Sequence, residues 1–448
     1  MTTITTGNQH KCQSFLHVDE ENPIINKSFC FGNINSIQLK QHFPYTSSAS
    51  NKIMYESLGT YLNCVQRAWS AQDGSLVASF VSLKDKHVAN RSLQIEMPEN
   101  MVARMVDAPI DEIVIAHLKV LYYLTCEPKN YMAAYKSQTM CAKAVVEILK
   151  QLKEENWCLP IMYVICLDLR LLAQRCEGVG NTSKPGEILE SAAECLMACF
   201  RVCAVDNRSS DEDTKRLGML NLVNQLLKIY FRINKLNLCK PLIRAIDSSA
   251  YKDQFPLSQQ ITYKYFVGRK AMFDSDYRSA DEFLSFAFQN CHRKFPKNKR
   301  LILIYLVPVK MLLGYMPRKE VLERYDVLQF HELASAIKDG NVRRFDEVIQ
   351  RHETFFIEHG IYLIVEKLKT IGYRNLFKKV YLLTQTHQLD LQHFLCALEY
   401  VGETDISMDE THCIVANLIH EGKIKGYISH QHNKLVVSKQ NPFPPLMS

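Results

Sequence analysis

The stretch from Met408 to Lys439 constrains the fold of this chain more than any other segment. Its first part predicts a helix, because Ser407 can cap the N-terminus, Asp409 and Glu410 lie in the first turn, and Gly422 can end it. The apolar positions of this helix form one stripe with helical spacing and are Ile414, Val415, Leu418 and Ile419.

Two short runs rich in β-branched residues follow that helix. They cover Lys423–His430 and Lys434–Lys439, and the polar residues Gln431–Asn433 lie between them. This pattern predicts a small β-hairpin. A helix followed by a small hairpin is typical of the end of a winged-helix module, whose last helix and wing can contact nucleic acid or a protein partner.

Upstream, from about Ile53 to about residue 350, helical periodicity alternates with short polar breaks. No segment there shows convincing strand alternation, which favours an α-solenoid of antiparallel helix pairs. The predicted helices include Asp111–Thr125, Tyr131–Lys153, Leu159–Arg175, Ile188–Val202, Leu217–Ile233, Leu236–Ile246 and Gln259–Met272.

One helix pair carries the tetratricopeptide pattern. Gly268, Ala280, Leu284 and Ala287 have its spacing, and Tyr277 follows the predicted turn. Small residues at these positions allow two helices to approach closely. The fold class expected is mainly α: a solenoid of degenerate tetratricopeptide-like helix pairs that ends in a winged-helix module with a small β-hairpin.

The composition limits the other fold classes and locations. No secretory segment opens the chain and no run of about 18 apolar residues occurs, so we expect a soluble intracellular protein without membrane contact. The 15 cysteines lack close pairs, and Cys195, Cys199 and Cys203 share one helix face, where a buried core position is favoured over a metal site.

Four parts are predicted along the chain. They are a flexible N-terminal tail at residues 1–50, an N-terminal helical region at 51–210, helical repeats at 211–350 and the winged-helix module at 351–448.

Sequence motifs for catalysis are absent. The chain has no phosphate-binding loop, no dinucleotide-binding glycine motif, no His-Glu-x-x-His and no Gly-x-Ser-x-Gly. We therefore expect no enzyme activity, no cofactor and no metal, against the alternative of a cysteine hydrolase or a metal-dependent peptidase.

Two groups of cations are candidate phosphate contacts. No acidic residue occurs between Phe283 and Lys319, and five of the eight cations there lie in the predicted loop His292–Arg300. That loop is either a solvated connection or a surface for phosphate or an acidic partner, with Arg293, Lys294 and Lys297 as its candidates.

The second group lies in the final module. A single long helix is predicted over Ile361–Gln385, and Arg374, Lys378 and Lys379 share one of its faces.

The last helix and wing, Ala416–Ile428, resemble the PCI domain that is shared by subunits of the proteasome lid, the signalosome and initiation factor three. Further segments resemble the PCI subunits of the nuclear transcription-and-export complex 2, and these are Asn221–Ile246, Thr262–Ser275, Tyr373–Leu383 and Tyr427–Pro445. The resemblance runs from about residue 55 to the end.

This resemblance implies a non-enzymatic adaptor that couples transcription to messenger-RNA export at nuclear pores. It implies a large scaffold subunit and a small, acidic, mostly disordered subunit as partners, and messenger RNA, with DNA as a second ligand. The expected location is nuclear, with the cytoplasm as a second location. The alternative is a PCI subunit of a lid-like or signalosome-like assembly that makes protein contacts only.

The candidate nucleic-acid contacts that this resemblance places in the final module are Arg374, Lys378, Lys379, Lys423, Lys425, His430, His432, Lys434 and Lys439. Each could equally be a solvated surface residue, since nine Lys/Arg after Ile361 face eight Asp/Glu. No RNP motif and no aromatic stacking platform is recognised, so base-specific reading is not expected.

Overall fold

The computed structural model describes residues 57–152, 155–178, 184–206 and 213–446. These residues form a mainly helical protein, as the sequence predicts, and it ends in a small three-stranded sheet. The predicted flexible tail at residues 1–50 lies outside the described ranges. None of the described helices is long and apolar enough to span a bilayer.

The helices of the first half follow the predicted segments closely. They are α1 (Leu58–Ser70), α2 (Gly74–Phe80), α3 (Glu99–Met105), α4 (Ile110–Thr125), α5 (Tyr131–Gln151), α6 (Leu159–Gly178), α7 (Glu187–Ala204), α8 (Met219–Arg232), α9 (Cys239–Asp247) and α10 (Leu257–Phe273).

The second half continues with shorter helices before the sheet. They are α11 (Tyr277–Asn290), α12 (Pro296–Leu312), α13 (Lys319–Arg324), α14 (Gln329–Asp339), α15 (Val342–Arg351), α16 (Glu353–Glu358), α17 (Tyr362–Glu366), α18 (Lys369–Thr384), α19 (Leu391–Tyr400) and α20 (Met408–His420).

The helix pair α10–α11 confirms the tetratricopeptide-like spacing. A Cβ atom on Gly268 would lie 2.7 Å from Cγ of Leu284, so only glycine allows the two helices to approach this closely. Ala280, Leu284 and Ala287 are fully buried in this contact. The small residues therefore set the distance between the paired helices.

Two hydrophobic cores divide the described residues. One runs continuously from Leu58 to Ile371, and the other gathers residues between Leu376 and Phe443. The winged-helix module thus has its own core, which fixes its surface independently of the helical repeats. The division of the chain at residues 210 and 350 stays a prediction.

The single long helix predicted over Ile361–Gln385 is wrong. The segment forms α17 and α18, with a break at Lys367 and Leu368. Residues before the break, such as Val365, pack into the first core, whereas Leu376 and later residues pack into the second. The change from the first core to the second falls within α18, between Ile371 and Leu376, so the apolar stripe continues across the break and periodicity alone does not reveal it.

The predicted hairpin is confirmed and gains a third strand. Strand β2 (Gly426–Ser429) pairs antiparallel with β3 (Lys434–Val437), and β1 (Gln388–Asp390) pairs with the other edge of β3. Asn433 closes the turn with a φ of 48°. Strand β1 was missed because it has three residues, of which only Leu389 is buried.

Candidate nucleic-acid interface

Helix α20, the last helix of the module, is fixed by its N-terminal cap. The Glu410 N–H donates to the Ser407 hydroxyl at 3.2 Å, and the Ser407 N–H donates to the Glu410 carboxylate at 2.8 Å. Val415 and Leu418 are fully buried below it. This capping box is the one that the sequence predicts.

The exposed face of α20 carries no lysine or arginine. Its exposed residues are Asp409, Cys413, Ala416, Asn417 and His420. A helix that enters a nucleic-acid groove usually brings cations and base-reading side chains with it. The electrostatic character of α20 therefore does not favour groove insertion.

The wing, which we define as residues 423–439, has the opposite character. No acidic residue occurs from Gly422 to the end of the chain, while the wing holds Lys423, Lys425, Lys434 and Lys439. Strand alternation turns Leu435 and Val437 into the core, so the intervening side chains face outward.

The register determines which residues share the outer face of the wing. Tyr427 pairs with Val436, and Ser429 pairs with Lys434. Lys425 precedes Tyr427 by two residues, so it points to the same side. The structure thus brings Lys425, Tyr427 and Lys434 together on one surface.

The base of the wing is held by backbone hydrogen bonds. The Lys425 N–H donates to the Pro442 carbonyl at 2.8 Å, and the Ser438 N–H donates to the Lys425 carbonyl at 2.8 Å. The Lys425 side chain is exposed, and no contact of its Nζ is found within the part of the chain that the structure covers. Its charge is therefore available to a ligand.

The other predicted wing residues differ in the exposure and pairing of their side chains. His430, His432 and Lys439 are exposed, and Lys434 is half-buried. The His430 ring lies 5.3 Å from that of His412 on α20. Lys423 is half-buried and forms an ion pair with Glu421, which neutralises its charge.

Arg374 does not share an exposed face with Lys378 and Lys379, so that prediction is wrong. Only 7% of Arg374 is exposed, and its Nη2 donates to the carbonyl oxygens of Phe443 and Pro444 at 3.2 and 2.7 Å. Burial lowers the pKa of its guanidinium. The C-terminal segment covers this position of α18, and helical periodicity does not show that.

The two neighbouring lysines of α18 keep some exposure. Lys379 is exposed, and its Nζ donates at 2.8 Å to the carbonyl oxygen of Asp339, the last residue of α14. This bond satisfies a carbonyl at the C-terminal end of α14. Lys378 is half-buried. A role of either lysine in nucleic-acid binding stays a prediction.

The cation-rich connection before α12 is shorter than predicted. Helix α12 begins at Pro296, so the loop ends at Phe295. Arg293, Lys294 and Lys297 are exposed there, as the sequence suggests. Their contact with phosphate stays a prediction.

Two further cations of the predicted loop serve the fold. The Nζ of Lys299 is buried and donates to the Phe288 carbonyl at 2.6 Å, with the Phe288 ring centroid 4.3 Å away. The Nε of Arg300 donates to the Asp326 carbonyl at 3.1 Å. The free positive charge of this region is therefore smaller than its sequence implies.

The comparisons with known proteins agree with this geometry. The profile of the PCI domain matches residues 349–439, which span nearly the whole winged-helix module. A PCI domain-containing protein 2 homolog of Drosophila melanogaster is 63% identical over 87% of this chain and 99% of its own length. The chain belongs to the PCI domain-containing protein 2 family. It is a PCI-domain complex subunit, and the resemblance seen in the sequence is confirmed.

Other relatives extend the likeness. PCI domain-containing protein 2 of Xenopus laevis is 54% identical over 87% of this chain and 98% of its own length. A more distant one, the protein CSN12 homolog of Mycosarcoma maydis, is 26% identical over 86% of this chain and 97% of its own length.

Exposed apolar side chains mark a second surface of this PCI domain-containing protein 2 family member. Leu382 and Leu383 near the end of α18 are 56% and 83% exposed. Large apolar side chains with such exposure are typical of protein interfaces when they lie close together.

No catalytic arrangement emerges in the described residues. An open cleft of about 430 Å³ lies beside Trp69 and Trp157, but Asp107 is the one titratable residue in its lining. That carboxylate accepts a hydrogen bond from Gln66 at 2.6 Å, so no acid–base pair forms there.

The three cysteines on one face of α7 lack the features of a nucleophile or a metal site, although Cys195 is only partly buried against the core. Cys199 and Cys203 are fully buried in α7, as the sequence predicts, and burial raises the pKa of the Cys203 thiol. A buried neutral thiol is a poor nucleophile. Within the described ranges, no group of three His, Cys, Asp or Glu residues could hold a metal ion.

One candidate functional residue was missed at the level of sequence. Tyr427 is 64% exposed at the centre of the outer wing surface. Ile424 is buried in the module core and Ile428 is partly buried against it, so strand alternation around them would have placed Tyr427 outside.

Proposed function

We propose that this chain is a non-enzymatic adaptor subunit of a nuclear messenger-RNA export complex, where it couples transcription to export at nuclear pores. It docks on a large scaffold subunit, in a complex that also holds a small acidic subunit. Through its wing it contributes to sequence-independent binding of messenger RNA and DNA. The protein works in the nucleus, with the cytoplasm as a second location.

The observation that carries the nucleic-acid part is the segregation of charge within the module. The segment from Gly422 onward has no acidic residue, and Lys425 and Lys439 are exposed on it. The module as a whole has nearly equal numbers of basic and acidic residues, but its wing carries a net positive charge. Exposed lysines attract phosphates without reading bases, which supports binding without sequence preference.

The docking part is supported by the exposed apolar side chains of the adjacent residues Leu382 and Leu383. A partner that covers such exposed side chains stabilises the complex. The contribution is about 25 cal/mol per Å² of apolar surface removed from water. This surface is separate in sequence from the wing, so one module can hold a scaffold and present cations to a nucleic acid.

The alternative function is a PCI subunit that makes protein contacts only. The exposed face of α20, which has no lysine or arginine and presents Ala416 and Asn417, favours this alternative because it suits a protein surface better than a nucleic-acid groove. Under this alternative the wing cations would contact acidic side chains of a partner.

The test is a pull-down of the tagged chain from nuclear extract at low and moderate salt, with bound proteins identified and bound RNA quantified. We expect a large scaffold and a small acidic subunit at both salt concentrations, and RNA that is lost as salt rises. Replacing Leu383 with Asp should remove the scaffold, whereas Met140→Asp at another exposed apolar residue should not. Recovery of lid-like or signalosome-like subunits without RNA would replace the proposal with the alternative.

A further inference from the structure

Tyr427 is the central side chain on the outer face of the wing sheet. Its ring is 64% exposed, although several tyrosines of the solenoid, such as Tyr61 and Tyr305, are buried. Its hydroxyl forms no hydrogen bond within the described residues. The core does not need this ring, because Leu435 and Val437 fill the inner face of the same sheet.

Cations lie on both sides of the ring along the strand direction. Lys425 directly precedes β2 and is two residues before Tyr427, which corresponds to about 7 Å along an extended chain. Lys434 on β3 pairs with Ser429, two residues beyond Tyr427, so it lies diagonally at about 7–8 Å. Val436 is directly opposite Tyr427 and provides an apolar neighbour for a flat ligand.

The one carboxylate on the strands of this sheet belongs to Asp390 on β1, and β3 with its Lys434 lies between that strand and Tyr427 on β2. Asp390 on β1 pairs with Lys434 in the register, and its side chain accepts the Gln392 N–H at 3.0 Å, which caps α19. Neither β2 nor β3 contains an acidic residue. The surface around Tyr427 therefore remains positive and suits a polyanion.

We propose that Tyr427 stacks on a base of single-stranded RNA while Lys425 and Lys434 contact neighbouring phosphates. Stacking on an aromatic ring accepts any base, since every base has a π-face. Bases in a duplex are stacked on each other, so they cannot reach a ring on a flat sheet. The wing then prefers single strands over duplexes, and this inference rests on the nucleic-acid binding proposed above.

The experiment measures binding of the purified full chain to a fluorescein-labelled oligouridine and to a blunt RNA duplex of equal length by fluorescence anisotropy. Tyr427→Ala should weaken single-strand binding about 5- to 100-fold and leave duplex binding within about twofold. Tyr427→Phe should retain the wild-type affinity because the ring remains. Tyr400→Ala removes another exposed tyrosine of the same module and should change neither affinity.

The dependence of affinity on salt distinguishes the loss of the stacking contact from a general disruption of the wing. Tyr427→Ala should keep the wild-type slope of log affinity against log salt, whereas Lys425→Gln should reduce it by about 0.7. Unchanged single-strand affinity of Tyr427→Ala, or an equal loss for both RNA forms, would overturn the stacking inference and leave the proposed function standing. A wild-type chain that binds neither RNA at low salt would overturn both.

Discussion

The Nη2 of Arg374 donates to the carbonyl oxygen of Pro444 across 2.7 Å, which ties the C-terminal segment to α18. The preceding Pro442 carbonyl accepts the Lys425 N–H at the base of the wing. The same short segment therefore braces both the helix and the wing. Arg374 supports the candidate interface from inside the module instead of lying on its surface.

Arg374→Ala should lower the free energy of unfolding by about 2–4 kcal/mol, because two carbonyl oxygens lose a charged donor in a buried place. Urea denaturation followed by circular dichroism measures this. Lys379→Ala, which removes one exposed hydrogen bond from the same helix, should cost less than about 1 kcal/mol. Equal stability of both variants would contradict the role given to Arg374.

Gly268→Val should destabilise the α10–α11 pair by about 1–3 kcal/mol, since Leu284 leaves no room for a side chain. Thermal unfolding of the variant and of the wild-type chain measures this difference in stability. The matched control is Gly372→Ala in α18, where no atom lies within 4 Å of the added Cβ. That variant should gain about 0.5–1 kcal/mol from the helical preference of alanine. A neutral Gly268→Val would argue against the close approach.

The buried histidines should make the protein sensitive to acid. The Nε2 atoms of His87 and His117 lie 2.9 Å apart, and burial lowers the pKa of His87 to about 4 and that of His117 well below its usual value. Between pH 6.5 and about 4 the unfolded chain binds more protons than the folded one, so stability falls as pH falls.

At pH 5 this effect should reach about 2 kcal/mol for His87 relative to neutral pH, and His117 should lower the stability further in the same direction. Denaturation midpoints at pH 7.5 and 5 measure it. His117→Phe should flatten the pH dependence even if it changes the stability at neutral pH, whereas His420→Gln at an exposed position should leave the slope as it is. A wild-type stability that is constant over this range would refute the prediction.

The wing cations should set the salt dependence of RNA binding. Lys425→Gln with Lys439→Gln should reduce the slope of log affinity against log salt by about 1.4 on single strands, because each lost phosphate contact contributes about 0.7. Titrations at several salt concentrations provide the slopes. Lys252→Gln at an exposed position outside the module should have no effect, and a similar loss there would point to net charge instead of the wing.

Much of the architecture was accessible from local patterns. The bounds of α4 and α10 deviate from the predicted segments by one or two residues, because apolar periodicity reports the buried stripe of a helix. The break between α17 and α18 was not accessible, since the apolar stripe continues across it.

The sequence by itself determined the elements whose cause lies within a few residues: the capping box of Ser407 and Glu410, the turn at Asn433, and the close approach at Gly268. Only the tertiary structure decided which cations are available. Arg374 and Lys425 are both basic residues in the final module, yet Arg374 is buried under Pro444 and Lys425 faces water. The difference arises because a segment seventy residues downstream covers Arg374, and local periodicity contains no information about such a contact.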